Sequence, residues 1–283
     1  MNYSGLKQGT YYPQGGFFKI IEALVSLANE KGVTFNFNSE VQKINVSNGA
    51  VSSIKVNNKD VAVDIVVAGA DYNHVDSMLL DKKYSNYTSK YWDSRKLAPS
   101  SLLFYLGLNK RLSNVTHHTL FFDKDFSNHA KEIYQNPKWP NEPLFYMSCP
   151  SVTDNSIAPN GMENIMLLIP LAPGLDDADE MREKYFNVML DRIHKLTGND
   201  ISESIVFKKS YCVSDFVKDY HAFKGNAYGL ANTLDQTAIL KPSLRNKKLK
   251  NLFYTGQLTV PGPGVPPSII SGQVVASQIN KYF

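Results

Sequence analysis

The chain has 283 residues, of which 43% are hydrophobic and 20% are charged, a balance typical of globular proteins and not of disordered ones. Its net charge of +4 is modest, and apart from a cluster at 245–250 the basic residues are dispersed, which argues against nucleic-acid binding. Cys149 and Cys212 lie far apart, which argues against a disulfide framework or a zinc site. No apolar run is long enough to cross a bilayer and we find no signal peptide, so we expect any membrane contact to be peripheral.

The first 79 residues show the pattern of an α/β domain. Apolar residues at helical spacing predict a helix that begins near Phe17 and ends at Gly32. Alternation then predicts a strand over 33–37, and short apolar segments over 41–63 predict a β-meander with turns at residues 48–49 and 57–58. The continuous apolar run at 65–69 is typical of a strand covered on both faces.

Residues 80–225 follow a different pattern. Aromatic-rich segments at 101–108, 144–147 and 164–169 predict strands, and a helix is predicted from near Asp179 to Leu196. This pattern indicates an inserted α+β domain with a mostly antiparallel sheet. We therefore predict three parts: 1–79, the inserted domain 80–225, and 226–283, which returns to the first domain.

The C-terminal part contains the most informative segment. A short apolar strand at 252–254 leads into a loop with Gly262 and Gly264, and Pro266 and Pro267 suit the first positions of a helix. The N-terminus of such a helix carries partial positive charge and can stabilise a phosphate or an anionic flavin ring. Taken alone, this arrangement is more often an ordinary strand-to-helix connection than a cofactor site.

Five ordered segments match the motifs of one known family. They are Tyr12-Pro13-x-Gly15-Gly16, Glu40-Val41-x-x-Ile44, the strand and Ala-Asp pair at 64–71, residues 225–229 with Gln236-Thr237, and the signature at 251–266. Together they make essentially the whole chain resemble the flavin-dependent carotenoid desaturases of the bacterial phytoene desaturase type. The resemblance implies a glutathione-reductase-like FAD-binding domain with an inserted substrate domain, so the expected fold class is α/β plus α+β.

The resemblance implies FAD as cofactor. The N–H of Val265 and the helix that begins near Pro266 are expected to stabilise the charge that develops on the flavin. At 257–260 this chain reads Gln-Leu-Thr-Val, where many relatives have a small residue followed by Thr-His, so only a backbone contact to the ribityl region is expected there. The cofactor-binding residues implied are Val41, Gly256, Gln257, Gly262, Gly264, Val265 and Pro266.

The family's N-terminal β-α-β unit, which binds the FAD pyrophosphate, has no counterpart in this sequence. We therefore expect the chain to be a fragment of a longer enzyme, to be inactive alone and not to hold FAD tightly.

The implied substrate is an apolar polyene, phytoene or a related carotenoid. The resemblance places the enzyme in the cytoplasm, peripherally associated with the inner face of the membrane. Phe104, Tyr105, Phe145 and Tyr146 could line a substrate tunnel or equally could be core residues.

No polar catalytic set stands out in the sequence. Asp219 and His221 are the only candidates for a proton acceptor, because they directly precede the segment that returns to the flavin domain. The histidines lack carboxylate or cysteine partners at ligand spacing, so no metal site is predicted.

Two groups of alternatives stay open at this stage. Within flavoenzymes, the chain could belong to a carotenoid isomerase, a hydroxycarotenoid desaturase or an amine-oxidase-like enzyme. Outside catalysis, it could be a lipid-binding protein, or a subunit whose partner supplies the other half of the FAD domain.

Overall fold

A computed structural model describes residues 7–9 and 11–283. The helices are α1 Phe18–Glu30, α2 Tyr72–His74, α3 Ser89–Asp93, α4 Phe126–Tyr134, α5 Asp179–Thr197, α6 Val213–Tyr220 and α7 Val265–Tyr282. The strands are β1 Val41–Ser47, β2 Ala50–Val56, β3 Lys59–Ala62, β4 Val66–Ala68, β5 Ser100–Leu108, β6 His118–Phe121, β7 Phe145–Ser148, β8 Glu163–Leu171, β9 Ile205–Tyr211 and β10 Leu252–Tyr254. These strands form a three-stranded sheet β1-β2-β3, a two-stranded sheet β10-β4 and a five-stranded sheet in the order β6-β7-β8-β5-β9.

The β-meander of the first part forms as predicted, with antiparallel pairing of β1 with β2 and of β2 with β3. Asn48 and Gly49 at the first turn, and Asn57 and Asn58 at the second, all have positive φ. Two consecutive residues with positive φ are the requirement of a type I′ hairpin turn, which Asn and Gly meet most easily. The side chain of Asn251 then fastens the meander to β10 through hydrogen bonds to the backbone of Val51.

The predicted strand at 33–37 is wrong. The segment has no strand partner among the described residues, and Phe37 is 80% exposed. An isolated segment cannot satisfy its backbone groups in a ladder, so alternation alone does not make it a strand. The preceding helix α1 is amphipathic as predicted, but it buries no residue, and its apolar Phe18 and Leu27 are exposed.

The five-stranded sheet is antiparallel throughout and forms the core of the inserted part. Along β5 and β8, every second residue is buried under α5, as the period of two along a strand requires. The intervening residues form the opposite surface of the sheet, which we call the open face. This face includes Leu103 and Tyr105 of β5 and Met166 and Leu168 of β8.

The parallel pair β4 and β10 brings the two outer parts of the chain together, as expected from their apolar sequences. Residues from 84 to 97, including the fully buried Trp92, pack in the same core as Tyr72 and Tyr254. The rings of Tyr72 and Tyr254 stack with centroids 3.8 Å apart. These contacts place the C-terminal ends of β4 and β10 side by side, next to the start of the five-stranded sheet.

Candidate functional site

A cavity of about 400 Å³ opens where β4 and β10 end. The carboxyl ends of parallel strands are the usual place for ligand sites in α/β domains. Its lining includes Asp71 after β4, Gly256 and Gln257 after β10, and Phe216 and Tyr220 of α6. The cavity therefore joins the predicted flavin-contacting loop to the inserted domain.

The glycines of the C-terminal loop are required by its backbone. Gly256, Gly262 and Gly264 have φ of 101°, 135° and 110°, which L side chains rarely adopt. Gly264 is the N-cap of α7 and provides no side-chain cap.

The first turn of α7 presents a single free donor. Pro266 and Pro267 have no N–H, and the N–H of Ser268 donates to the carbonyl of Gly264. Within the described part of the chain, the N–H of Val265 has no hydrogen-bond partner. The helix terminus thus concentrates its positive end on one backbone N–H.

Ser271 fixes the position of this loop against α7. Its hydroxyl accepts from the N–H of Gly256 at 2.9 Å and donates to the carbonyl of Ser268 at 2.6 Å. The buried hydroxyl of Thr259 donates to the carbonyl of Gly256 at 2.8 Å. The N–H of Gly256 and the side chain of Thr259 therefore hold the turn together.

Lys241 is a site residue that the sequence did not reveal. It is 5% exposed, and its Nζ has no hydrogen-bond partner among the described residues. A Cβ built on Gly262 would lie 3.5 Å from this Nζ, so the amine is directly beside the loop. Burial lowers the pKa of Lys241. In sequence, a lysine before a proline in a polar loop resembles a solvated side chain, and no local signal distinguishes it.

Asp71 is a second such residue. Its carboxylate caps α2 by accepting from the N–H of His74 at 3.2 Å, and it also accepts from the N–H of Phe223 at 3.2 Å. Burial raises the pKa of Asp71, and the carboxyl lines the cavity. The sequence identified Asp71 only as part of a motif. Its position places an acidic residue in the lining of the cavity.

The two proton-acceptor candidates lie beside the cavity, which their neighbours Tyr220 and Ala222 line. The carboxylate of Asp219 accepts from the hydroxyl of Tyr211 at 3.1 Å. The ring of His221 stacks on His74 with centroids 4.0 Å apart, and its Nε2 lies 3.4 Å from the carboxylate of Glu40. This contact brings the start of β1, where Val41 lies, next to α6.

The four aromatic residues considered as tunnel lining divide between the two faces of the sheet. Phe104 and Phe145 are buried in the core under α5, whereas Tyr105 and Tyr146 belong to the open face. Period-two alternation explains the division, because each pair occupies consecutive positions of one strand.

A flavin fits the residues around the loop on two structural grounds. An unpaired buried ammonium and an unpaired helix-terminal N–H both favour an anionic or electron-rich partner at the same place. No group of three or more potential metal ligands occurs among residues 7–9 and 11–283. Over the same residues, no helix is long and apolar enough to span a membrane.

Comparison with known proteins agrees with this geometry. Residues 1–280 match the family of flavin-containing amine oxidoreductases. The chain belongs to this family. The match confirms the predicted relationship to flavin enzymes and the prediction of FAD as the cofactor.

The chain is 39% identical to a carotenoid 3,4-desaturase of Haloarcula japonica, over 99% of this chain and 56% of the relative. It is 29% identical to a zeta-carotene-forming phytoene desaturase of Myxococcus xanthus, over 99% of this chain and 54% of the relative. The chain thus spans about half the length of the curated relatives that it matches.

Among solved structures, an oxidoreductase of Methanosarcina mazei superimposes with a TM-score of 0.61 over 95% of this chain and 55% of that protein. The identity is 14%, so this likeness concerns the fold alone. It supports the mixed α/β architecture with antiparallel sheets.

Proposed function

We propose that this chain is the substrate-binding and flavin-contacting part of an FAD-dependent carotenoid desaturase. The observation that supports the proposal most directly is the meeting of two features. A loop and helix terminus suited to a flavin lie beside an open sheet face rich in apolar and aromatic side chains. A long hydrocarbon offers no hydrogen-bond groups, so it requires a surface of this kind in place of a polar catalytic set.

Bound FAD supplies the oxidising chemistry by accepting hydride from the substrate. The residues of this chain are proposed to bind the cofactor, orient the substrate and shield both from water. The Val265 N–H and the Lys241 ammonium are proposed to stabilise negative charge at one edge of the ring, where their neighbours are fixed by Ser271. Asp71, which lines the cavity, is proposed to receive the single proton lost from the substrate, and His221 at the margin of the cavity is the alternative acceptor.

Two substrates are compatible with the relatives. Phytoene is the substrate implied by the sequence resemblance, whereas the relative at 39% identity is a carotenoid 3,4-desaturase. We propose phytoene or a carotenoid derived from it, taken from the cytoplasmic face of a membrane to which the protein binds peripherally.

The test is product analysis in cells that make phytoene but no later carotenoid. The gene is expressed together with the flavin-domain half of a relative, and pigments are separated by chromatography. New conjugated products that disappear in a Gly256→Val variant support the proposal, because Gly256 needs positive φ. Unchanged phytoene, with turnover of an amine by the same preparation, would refute it.

A further inference from the structure

A second apolar site lies at the far edge of the five-stranded sheet. A groove of about 280 Å³ separates α4 from the ends of β6 and β7. Its lining includes Leu120, Phe122, Ala130, Ile133 and Tyr146. Leu120 and Phe122 are 61% and 59% exposed, so the groove opens to the surface with its apolar side chains uncovered.

The buried polar side chain of the groove is already hydrogen-bonded. His129 is this residue, and the backbone engages both of its ring nitrogens. Nε2 donates to the carbonyl of Pro170 at 2.9 Å, and Nδ1 accepts from the N–H of Leu144 at 3.1 Å. Burial lowers the pKa of His129, which favours the neutral ring. Most of the other lining residues are apolar or aromatic, so the groove suits an apolar ligand segment.

A continuous row of side chains connects the groove to the flavin-side cavity. Cross-strand pairing aligns one residue from each of the five strands, and paired residues lie on the same face of a sheet. Four strand spacings of about 4.8 Å give the row a length of roughly 19 Å. The row consists of Leu120, Tyr146, Leu168, Leu103 and Tyr211.

Each end of the row belongs to a cavity. Leu120 and Tyr146 line the groove at one end. At the other end, the ring of Tyr211 packs edge-to-face on Phe216, with centroids 4.9 Å apart, and Phe216 lines the flavin-side cavity. The row of paired residues thus links the linings of the two cavities across the strands.

We propose that the groove between α4 and the β6–β7 edge holds the end of the polyene, and that its distance from the flavin-side cavity determines which bond is oxidised. This inference rests on the proposed function. The substrate lies across the strands along the row, and its terminal hydrocarbon segment fills the groove. Filling the groove with protein must then exclude long polyenes and leave shorter ones bound.

The experiment compares Ala130→Phe with Ser127→Phe. Ala130 lines the groove, whereas Ser127 is an exposed residue of α4 outside the groove lining. The two variants therefore add the same phenyl ring to the same helix, one inside the groove and one outside it. The 283-residue chain in mild detergent is titrated with a forty-carbon and a thirty-carbon polyene, and binding is followed by quenching of protein fluorescence. We expect Ala130→Phe to weaken binding of the longer polyene at least tenfold and that of the shorter one less than twofold. Ser127→Phe should change neither.

The outcomes are separable. If the unmodified chain binds neither polyene, the proposed function fails together with the inference. If it binds both and a folded Ala130→Phe variant weakens both equally or neither, only the inference fails. The Ala130→Phe variant could also lose binding to phosphatidylglycerol vesicles while its relative affinity for the two polyenes stays unchanged. That result would show that the groove binds a lipid surface, and it would also overturn the inference. Far-UV circular dichroism verifies folding, and Ala130→Leu replaces the larger variant if that one unfolds.

Discussion

Replacing Lys241 by methionine should stabilise the flavin-free chain. The Lys241 ammonium is buried without a partner among the described residues, and methionine keeps an unbranched apolar stem in the same space. An unsatisfied buried polar group costs about 1–3 kcal/mol, and more when it is charged. We therefore expect Lys241→Met to increase the free energy of unfolding by about 1–3 kcal/mol at pH 7.

The pH dependence provides an internal check. Burial lowers the pKa of Lys241 in the folded chain, so between that lowered pKa and the ordinary pKa of about 10.4 the unfolded chain binds more protons than the folded one. Stability due to this residue must then rise with pH in that window. The advantage of Lys241→Met over the unmodified chain should shrink between pH 7 and pH 10.

Urea unfolding at both pH values measures this difference. Lys250→Met is the matched control, because Lys250 is an exposed lysine. This variant should change the free energy of unfolding by no more than about 0.5 kcal/mol. The same Lys241→Met variant should bind FAD more weakly in the assembled enzyme. A Lys241→Met chain that is less stable at pH 7, or an advantage that does not change with pH, would refute the reasoning.

Three further substitutions test separate parts of the structure. Asn251→Ala removes buried hydrogen bonds to the N–H and carbonyl of Val51 and to the carbonyl of Asp64, so it should lower the free energy of unfolding by about 2–4 kcal/mol, measured by urea unfolding. Tyr254→Phe removes the hydroxyl that donates to buried Asp76 at 2.7 Å. It should lower the free energy of unfolding by about 1–3 kcal/mol, and an unchanged unfolding midpoint would contradict this. Leu24→Gln on α1, where the leucine is 43% exposed, should change stability by less than about 0.5 kcal/mol and reduce aggregation in light scattering. A large loss of stability in this last variant would mean that α1 is covered in the isolated chain.

Two of the features predicted correctly are determined by neighbours in sequence. The Asn48-Gly49 turn needs only its own backbone to adopt positive φ, and α5 ends at Gly198, whose φ is 77°. The strand over 33–37 failed because strand formation needs a partner, and partners are not local.

The same distinction applies to the site. Gly256, Gly262 and Gly264 could be identified from their sequence, since the loop requires their conformational freedom. Lys241 could not, because its burial results from packing against residues distant in sequence, among them Gly262. Whether Phe104 or Tyr105 lies on the open face depends on which face α5 covers, and a period of two gives alternation without giving its direction.

The contacts of Ser271 also affect how a ligand is bound. One hydroxyl holds Gly256, Thr255 and the first turn of α7 together, so the loop and the helix move as one unit before any cofactor arrives. A preformed loop loses little conformational entropy on binding, and that saving appears directly as affinity. Ser271→Ala should therefore weaken flavin binding although it alters neither Lys241 nor the N–H of Val265, because the loop must then be ordered by the ligand itself.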